Sequence, residues 1–153
     1  MKEITGKLSA SGMKFALVAS RFNSFLVEQL VKGAEDAFVR LGGKATDLTL
    51  VRVPGAYESP VVAAKLAKSG KFDAVVALGV VIQGATAHAS TIYSQVSKSL
   101  AQIGMESGVP VIYGVVTVEN IEQAIERSGT KAGNRGADAA VAAIEMANLN
   151  KKL

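Results

Sequence analysis

The stretch DAVVALGVVIQGATAHAST, residues 73–91, carries most of the information about the fold. Its first part, DAVVALGVV (73–81), is short, rich in Val and almost continuously apolar. That is the pattern of a strand buried on both faces, as strands of parallel sheets are. The chain then passes Gly84 and reaches its single histidine, His88, among small residues. A parallel strand running into a glycine turn is where open α/β sheets place their ligands.

Three other segments share the strand pattern: FALVAS (15–20), DLTLVRV (47–53) and VPVIYGVV (109–116). Helical patterns lie between them. In SFLVEQLVKGAEDAFVRL (24–41) the apolar positions Leu26, Leu30, Ala34, Ala37 and Leu41 recur every three or four residues, and Gly42-Gly43 ends the run. ESPVVAAKLAKSG (58–70) has Pro60 near a first turn and Gly70 past the end. TVENIEQAIERSG (117–129) begins acidic and closes with Arg127, in the sense that the helix dipole favours. The last helix, GADAAVAAIEMANL (136–149), is expected to bury Ala137, Ala140, Val141 and Ile144. The alternation predicts an α/β fold of three layers, a four-stranded mainly parallel sheet with helices on both faces. No linker, repeat or low-complexity stretch divides residues 1–153, so one domain is expected.

Composition narrows the function classes. The chain has no cysteine and one histidine, which excludes disulfides, thiolate chemistry and cysteine metal sites and leaves little for zinc. The net charge of +4 is spread along the chain, without the basic, aromatic-interleaved patch of a nucleic-acid binder. No apolar run reaches the ~18 residues of a membrane span, and the N-terminus lacks the apolar core of a signal peptide. The expectation is a cytoplasmic protein acting on small, partly anionic molecules, with no membrane and no nucleic acid as partner.

The four strand ends hold the candidate chemistry. At 84–88, Gly84 lets backbone amides approach an anion, Thr86 offers a hydroxyl or a helix cap, and Arg127 or Lys131 could add the cation; a plain strand-to-helix turn accounts for the same residues. An imidazole suits proton transfer near neutrality, yet a lone histidine such as His88 is as often a surface residue. Phe22 either stacks on a flat ring or staples onto the following helix. Glu58 either accepts hydrogen bonds from a polyol or caps the helix begun at Pro60.

Together, ASRFN (19–23), VPGAYESP (53–60), GVVIQGATAH (79–88) and NIEQAIERSGTKAGNRGADAA (120–140) followed by AIEM (143–146) resemble the lumazine synthase family of riboflavin biosynthesis, in order and in spacing, over essentially the whole chain. The resemblance implies a flavodoxin-like fold and a transferase that condenses 5-amino-6-(D-ribitylamino)uracil with 3,4-dihydroxy-2-butanone 4-phosphate. The reaction passes through an imine, releases phosphate and water, and yields 6,7-dimethyl-8-ribityllumazine without metal or organic cofactor. It also implies pentamers whose active sites are shared between neighbouring subunits, and riboflavin synthase as a partner. The short connection RSGTKAGNRG (127–136) points to twelve pentamers in an icosahedral shell.

Carried over by residue, the resemblance implies that Phe22 stacks on the pyrimidine, with Asn23 beside it. Ala56, Tyr57 and Glu58 hold the ribityl chain, and Val80, Val81 and Ile82 read the uracil edge. Gly84, Ala85 and Thr86 form the phosphate loop, Arg127 of the adjacent subunit binds phosphate, and Lys131 lies near the same pocket. Tyr113 stands where the family usually has Phe closing the ring pocket, and His88 is the proton carrier. The chain departs from the family pattern at Gln83, commonly Arg, and at Ala89-Ser90-Thr91, commonly aromatic-acid-aromatic. Those departures motivate the competing reading, a shell or scaffold protein with weak or lost catalysis. A third reading, a generic phosphate-binding module, leaves Phe22 and Glu58 without a purpose.

Overall fold

The computed structural model of the chain describes residues 1–84, 87–130 and 132–153. Strand β1 spans Phe15–Ser20, β2 Leu48–Val53, β3 Ala74–Ile82 and β4 Val111–Val118, all within a residue or two of the segments read from the sequence. They form one sheet in the order β2-β1-β3-β4, with every pairing parallel. This is the four-stranded α/β fold expected from the alternation.

Helices α1 (Ser24–Arg40), α2 (Ser59–Lys68), α3 (His88–Ser107), α4 (Ile121–Arg127) and α5 (Arg135–Asn150) cover the sheet. Successive side chains on a strand point to opposite faces, and β1 divides accordingly. Phe15, Leu17 and Ala19 join α1, α4 and α5 in one apolar cluster; Ala16 and Val18 join α2 and α3 in the other. All six residues of β1 and the first eight of β3 are buried, so the two central strands have no polar face. β4 was also expected to be buried on both faces. It is instead the sheet edge, and Val111, Ile112 and Tyr113 remain partly or fully accessible because no strand lies beyond them.

The helix boundaries follow local chemistry. Asn120 accepts from the Gln123 amide at 2.9 Å while the Gln123 side chain accepts from the Glu119 amide at 3.0 Å, a reciprocal cap that starts α4. Asn134 caps α5 through its carbonyl oxygen, which accepts from the amides of Gly136 and Ala137. Its amide nitrogen donates across to the Gln29 carbonyl of α1 at 2.9 Å. One residue therefore both starts α5 and ties it to α1. Within α5, Ala140 and Ile144 are buried as expected, but Ala137 and Val141 are only partly so; Ala139, Ala143 and Ala147 take the inner positions. With alanine on nearly every face, the sequence pattern left the helix rotation undetermined, and the contact with α1 sets it.

Two features had no explicit sequence reading. α3 is a full 20-residue helix whose apolar stripe, Ala89, Val96, Leu100 and Ile103, is interspersed with Ser, Thr and Gln. The connection before α5 holds a small antiparallel pair, β5 (Ser128–Thr130) with β6 (Gly133–Asn134).

Gly136 sits where α5 meets α1, and a methyl group there would overlap the Leu30 backbone. Backbone cannot step aside as a flexible side chain can. Gly136→Ala should therefore destabilise the fold by about 1–3 kcal/mol, seen as a lower denaturant midpoint with an unchanged slope.

Candidate functional site

The chain leaves β1 on one side to form β2, then crosses back past β1 to form β3 on the other. The carboxyl ends of β1 and β3 thus flank the switch point of the sheet, where a crevice is expected. A cavity of about 690 Å³ opens there, within the ~300–1,000 Å³ range of small-molecule sites.

Four chain segments converge on it. Phe22 and Asn23 follow β1, while Ala56, Tyr57 and Glu58 form a single 3₁₀ turn after β2. Val80, Val81 and Ile82 end β3, and His88 begins α3. Nine of the residues singled out from the sequence therefore line one cavity.

Local hydrogen bonds hold this wall in shape. Asn23 takes the left-handed conformation at φ 58°, which asparagine tolerates better than most residues. From there its side-chain amide donates to the Val80 carbonyl at 3.1 Å, joining the exits of β1 and β3. The Arg21 and Phe22 amides donate to the carbonyls of Val53 and Pro54, joining β1 to β2. Phe22 itself is 73% exposed, so its ring overhangs the cavity rather than stapling onto α1. One carboxylate oxygen of Glu58 accepts from the Gly55 amide at 2.9 Å. That bond fixes the side chain within its own turn rather than capping α2, and leaves the second oxygen for the cavity.

His88 is exposed on the first turn of α3, with no ion pair among the described residues. Gly84 adopts φ 58° and does not line the cavity; its amide donates to the Glu119 carbonyl at 3.2 Å, and the Gln83 amide to Val118 at 2.8 Å. The loop after β3 is thus anchored to the end of β4. Ala85, Thr86 and Lys131, named from the sequence as phosphate-loop and pocket residues, lie outside the described residues.

The cavity wall also contains Gly55, Gln83, Ala89, Thr91 and Ile92, which the sequence reading did not assign to a site. The helical spacing of 88, 91 and 92 was a legible signal. Three of the four positions that depart from the family pattern, Gln83, Ala89 and Thr91, face this cavity. The fourth, Ser90, turns back to the Ala87 carbonyl at 2.7 Å.

Tyr113 and Arg127 are elsewhere. With Thr117 and Arg135 they line a second cavity of about 290 Å³ along the β4 edge, and among the described residues none lines both cavities. Arg135, the first residue of α5, was missed because a basic residue beside a helix cap reads as surface charge. Two guanidiniums facing one cavity are a suitable pair of forks for a phosphate. The Tyr113 hydroxyl lies 2.9 Å from the Thr117 hydroxyl, which orients the ring along the strand.

Burial pushes the Tyr113 phenol above its ordinary value of 10.0, the Thr117 hydrogen bond opposes the shift, and the neighbouring Tyr93 adds to it. A proton held more tightly in the folded state stabilises the fold below the ordinary phenol range, and that stabilisation is lost as pH rises through the raised value. Tyr113→Phe should therefore lose less stability than wild type as pH rises above about 10, each protein compared with its own value near neutrality, in denaturation curves recorded across pH.

Comparison with known proteins agrees with this architecture. The family model of 6,7-dimethyl-8-ribityllumazine synthase matches residues 12–151. The chain is 58% identical over 153 residues to the 6,7-dimethyl-8-ribityllumazine synthase of Chlorobaculum tepidum, covering all of this chain and 99% of that protein. Against the protein of the same name from Desulfotalea psychrophila it is 59% identical over 146 residues, 95% of this chain and 94% of the relative. Against that of Chlorobaculum parvum it is 54% identical over 153 residues, 100% and 98% of the two chains. Match, coverage and fold together place this chain in the 6,7-dimethyl-8-ribityllumazine synthase family.

Proposed function

We propose that the chain condenses 5-amino-6-(D-ribitylamino)uracil with 3,4-dihydroxy-2-butanone 4-phosphate to give 6,7-dimethyl-8-ribityllumazine. The observation that carries this reading is the convergence of Phe22, Glu58 and His88, an aromatic face, a polyol acceptor and a proton carrier, on one cavity at the switch point. A scaffold has no packing reason to expose these three side chains around a shared opening. All three are exposed.

In this reading the pyrimidine stacks on Phe22, its edge meets the backbone of Val80, Val81 and Ile82, and its ribityl hydroxyls meet Glu58 and the Ala56-Tyr57 turn. The 5-amino group attacks the ketone carbon and water leaves, forming the imine. Phosphate then departs from the four-carbon unit, and the resulting enol becomes a ketone. Attack on that carbonyl by the ribityl-bearing nitrogen, with loss of a second water, closes the ring. His88 shuttles protons during these steps, and the phosphate is assigned to Gly84, Ala85 and Thr86.

The chemistry needs alignment more than a strong nucleophile. Orientation of two reactants is worth effective molarities of about 10⁵–10⁸ M, against ~10²–10⁴-fold for one general acid–base group. The test mixes protein with both substrates and follows the lumazine chromophore. Wild type should give a saturable signal above the uncatalysed rate. His88→Ala should slow turnover by no more than about 10²–10⁴-fold and retain measurable activity; complete loss in a correctly assembled variant contradicts catalysis by positioning.

Arg127 and Tyr113 serve the reaction only if a second copy brings its β4 edge to the first cavity, since the two cavities of one chain share none of the described residues. Arg127, joined by Arg135, then supplies the phosphate-binding charge from the neighbour, and Tyr113 closes the ring pocket. A pentamer accomplishes this with one repeated contact. Exposed apolar residues such as Phe25, Leu50, Val61 and Met105 are suited to contacts between copies. The short connection at 127–136 favours assembly of twelve pentamers into a shell. Riboflavin synthase, the consumer of the product, is the expected partner, in the cytoplasm. No helix of the described residues is long and apolar enough to cross a membrane. Sedimentation should show five or sixty copies of the chain; an active monomer would refute the shared site.

A further inference from the structure

The polar groups around the first cavity are unequally committed. The Asn23 amide is spent on Val80, one Glu58 oxygen on Gly55, and the Gln83 backbone amide on Val118. On the α3 side, the wall carries His88, the Gln83 side chain and Thr91. Thr91 stands one turn after His88, on the same helix face, and is exposed. Its hydroxyl has no hydrogen-bond partner among the described residues, so a donor and two acceptor sites face the opening unused.

The two walls differ in chemistry. The β1 and β2 side presents a ring and a carboxylate, matched to a flat heterocycle with a polyol chain. The α3 side has Ala89 and Ile92 as its apolar lining and a hydroxyl one turn from an imidazole. The family pattern has an aromatic residue at position 91; threonine there puts a hydroxyl on the wall instead. We propose, resting on the reaction assigned above, that Thr91 is a substrate-contact residue for the four-carbon phosphate ester: its hydroxyl hydrogen-bonds a ketone or hydroxyl oxygen of that substrate next to His88. The residue selects the smaller reactant and holds its carbon skeleton within reach of the imidazole. The departure from the family pattern at this position is then a working part of the site rather than a sign of decay.

The test is steady-state kinetics on Thr91→Val and Thr91→Ser, varying each substrate with the other saturating. Valine keeps the shape and removes the hydroxyl; serine keeps the hydroxyl. Thr91→Val should raise KM for the phosphate ester by about 2–12-fold, the range for one net neutral hydrogen bond, and leave KM for the pyrimidine within about twofold. Thr91→Ser should restore the wild-type value. An unchanged KM in Thr91→Val, equal rises for both substrates, or a serine variant no better than valine would each overturn the proposal while the reaction stands. Wild type that forms no lumazine overturns the reaction assignment, and this proposal with it. Both variants should match wild type in assembly mass, because neither substitution adds bulk at residue 91.

Discussion

Two adjacent strands buried on both faces, β1 and β3, constrain everything else in this molecule. Apart from Ser20 at the end of β1 their side chains are apolar, so functional groups are displaced to the strand exits. The sheet order then decides which exits lie side by side. Since the chain turns opposite ways from β1 and β3, no connection crosses the gap between their ends, and the cavity forms there. The Asn23 side chain spans that gap to Val80 and keeps the two exits in register.

The helix layer meets a related constraint with different residues. α1 and α5 approach so closely that Gly136 lies against Leu30 and Gly33 against Asn134. Asn134 caps α5 and bonds to α1 in the same place. Arg135 follows directly, so the geometry that joins these helices also delivers a guanidinium to the second cavity. Helix packing and the lining of the second cavity are thereby linked through two neighbouring residues.

The separation of the cavities explains why one chain carries a divided inventory. The first holds groups suited to a heterocycle, a polyol and proton transfer; the second holds the two arginines and a tethered tyrosine. Neither suffices for a reaction whose substrates are a polyol-bearing pyrimidine and a phosphate ester. In the proposed pentamer, assembly of identical chains would complete the site at every interface at once and so tie catalysis to oligomerisation.

Much of this was legible in the sequence. The short Val-rich runs identified all four strands because that composition is a local property that needs no partner to recognise, and only β1 and β3 add burial on both faces. The glycine and proline punctuation bounded α1 and α2, and the motif residues Phe22, Glu58 and His88 stood at strand ends where ligands bind. Other features depended on relations between distant segments. β4 reads like a central strand, but its position as an edge follows from sheet order alone. The rotation of α5 follows from its close approach to α1, since its many alanines give no strong periodicity. Thr91 and Arg135 look like ordinary surface polarity until folding brings each beside a cavity. Local composition determined the elements of this protein, because burial and backbone preference act within a few residues. Only the tertiary structure decided which side chains share a cavity, because that depends on strand order and helix rotation set by contacts far apart in the chain.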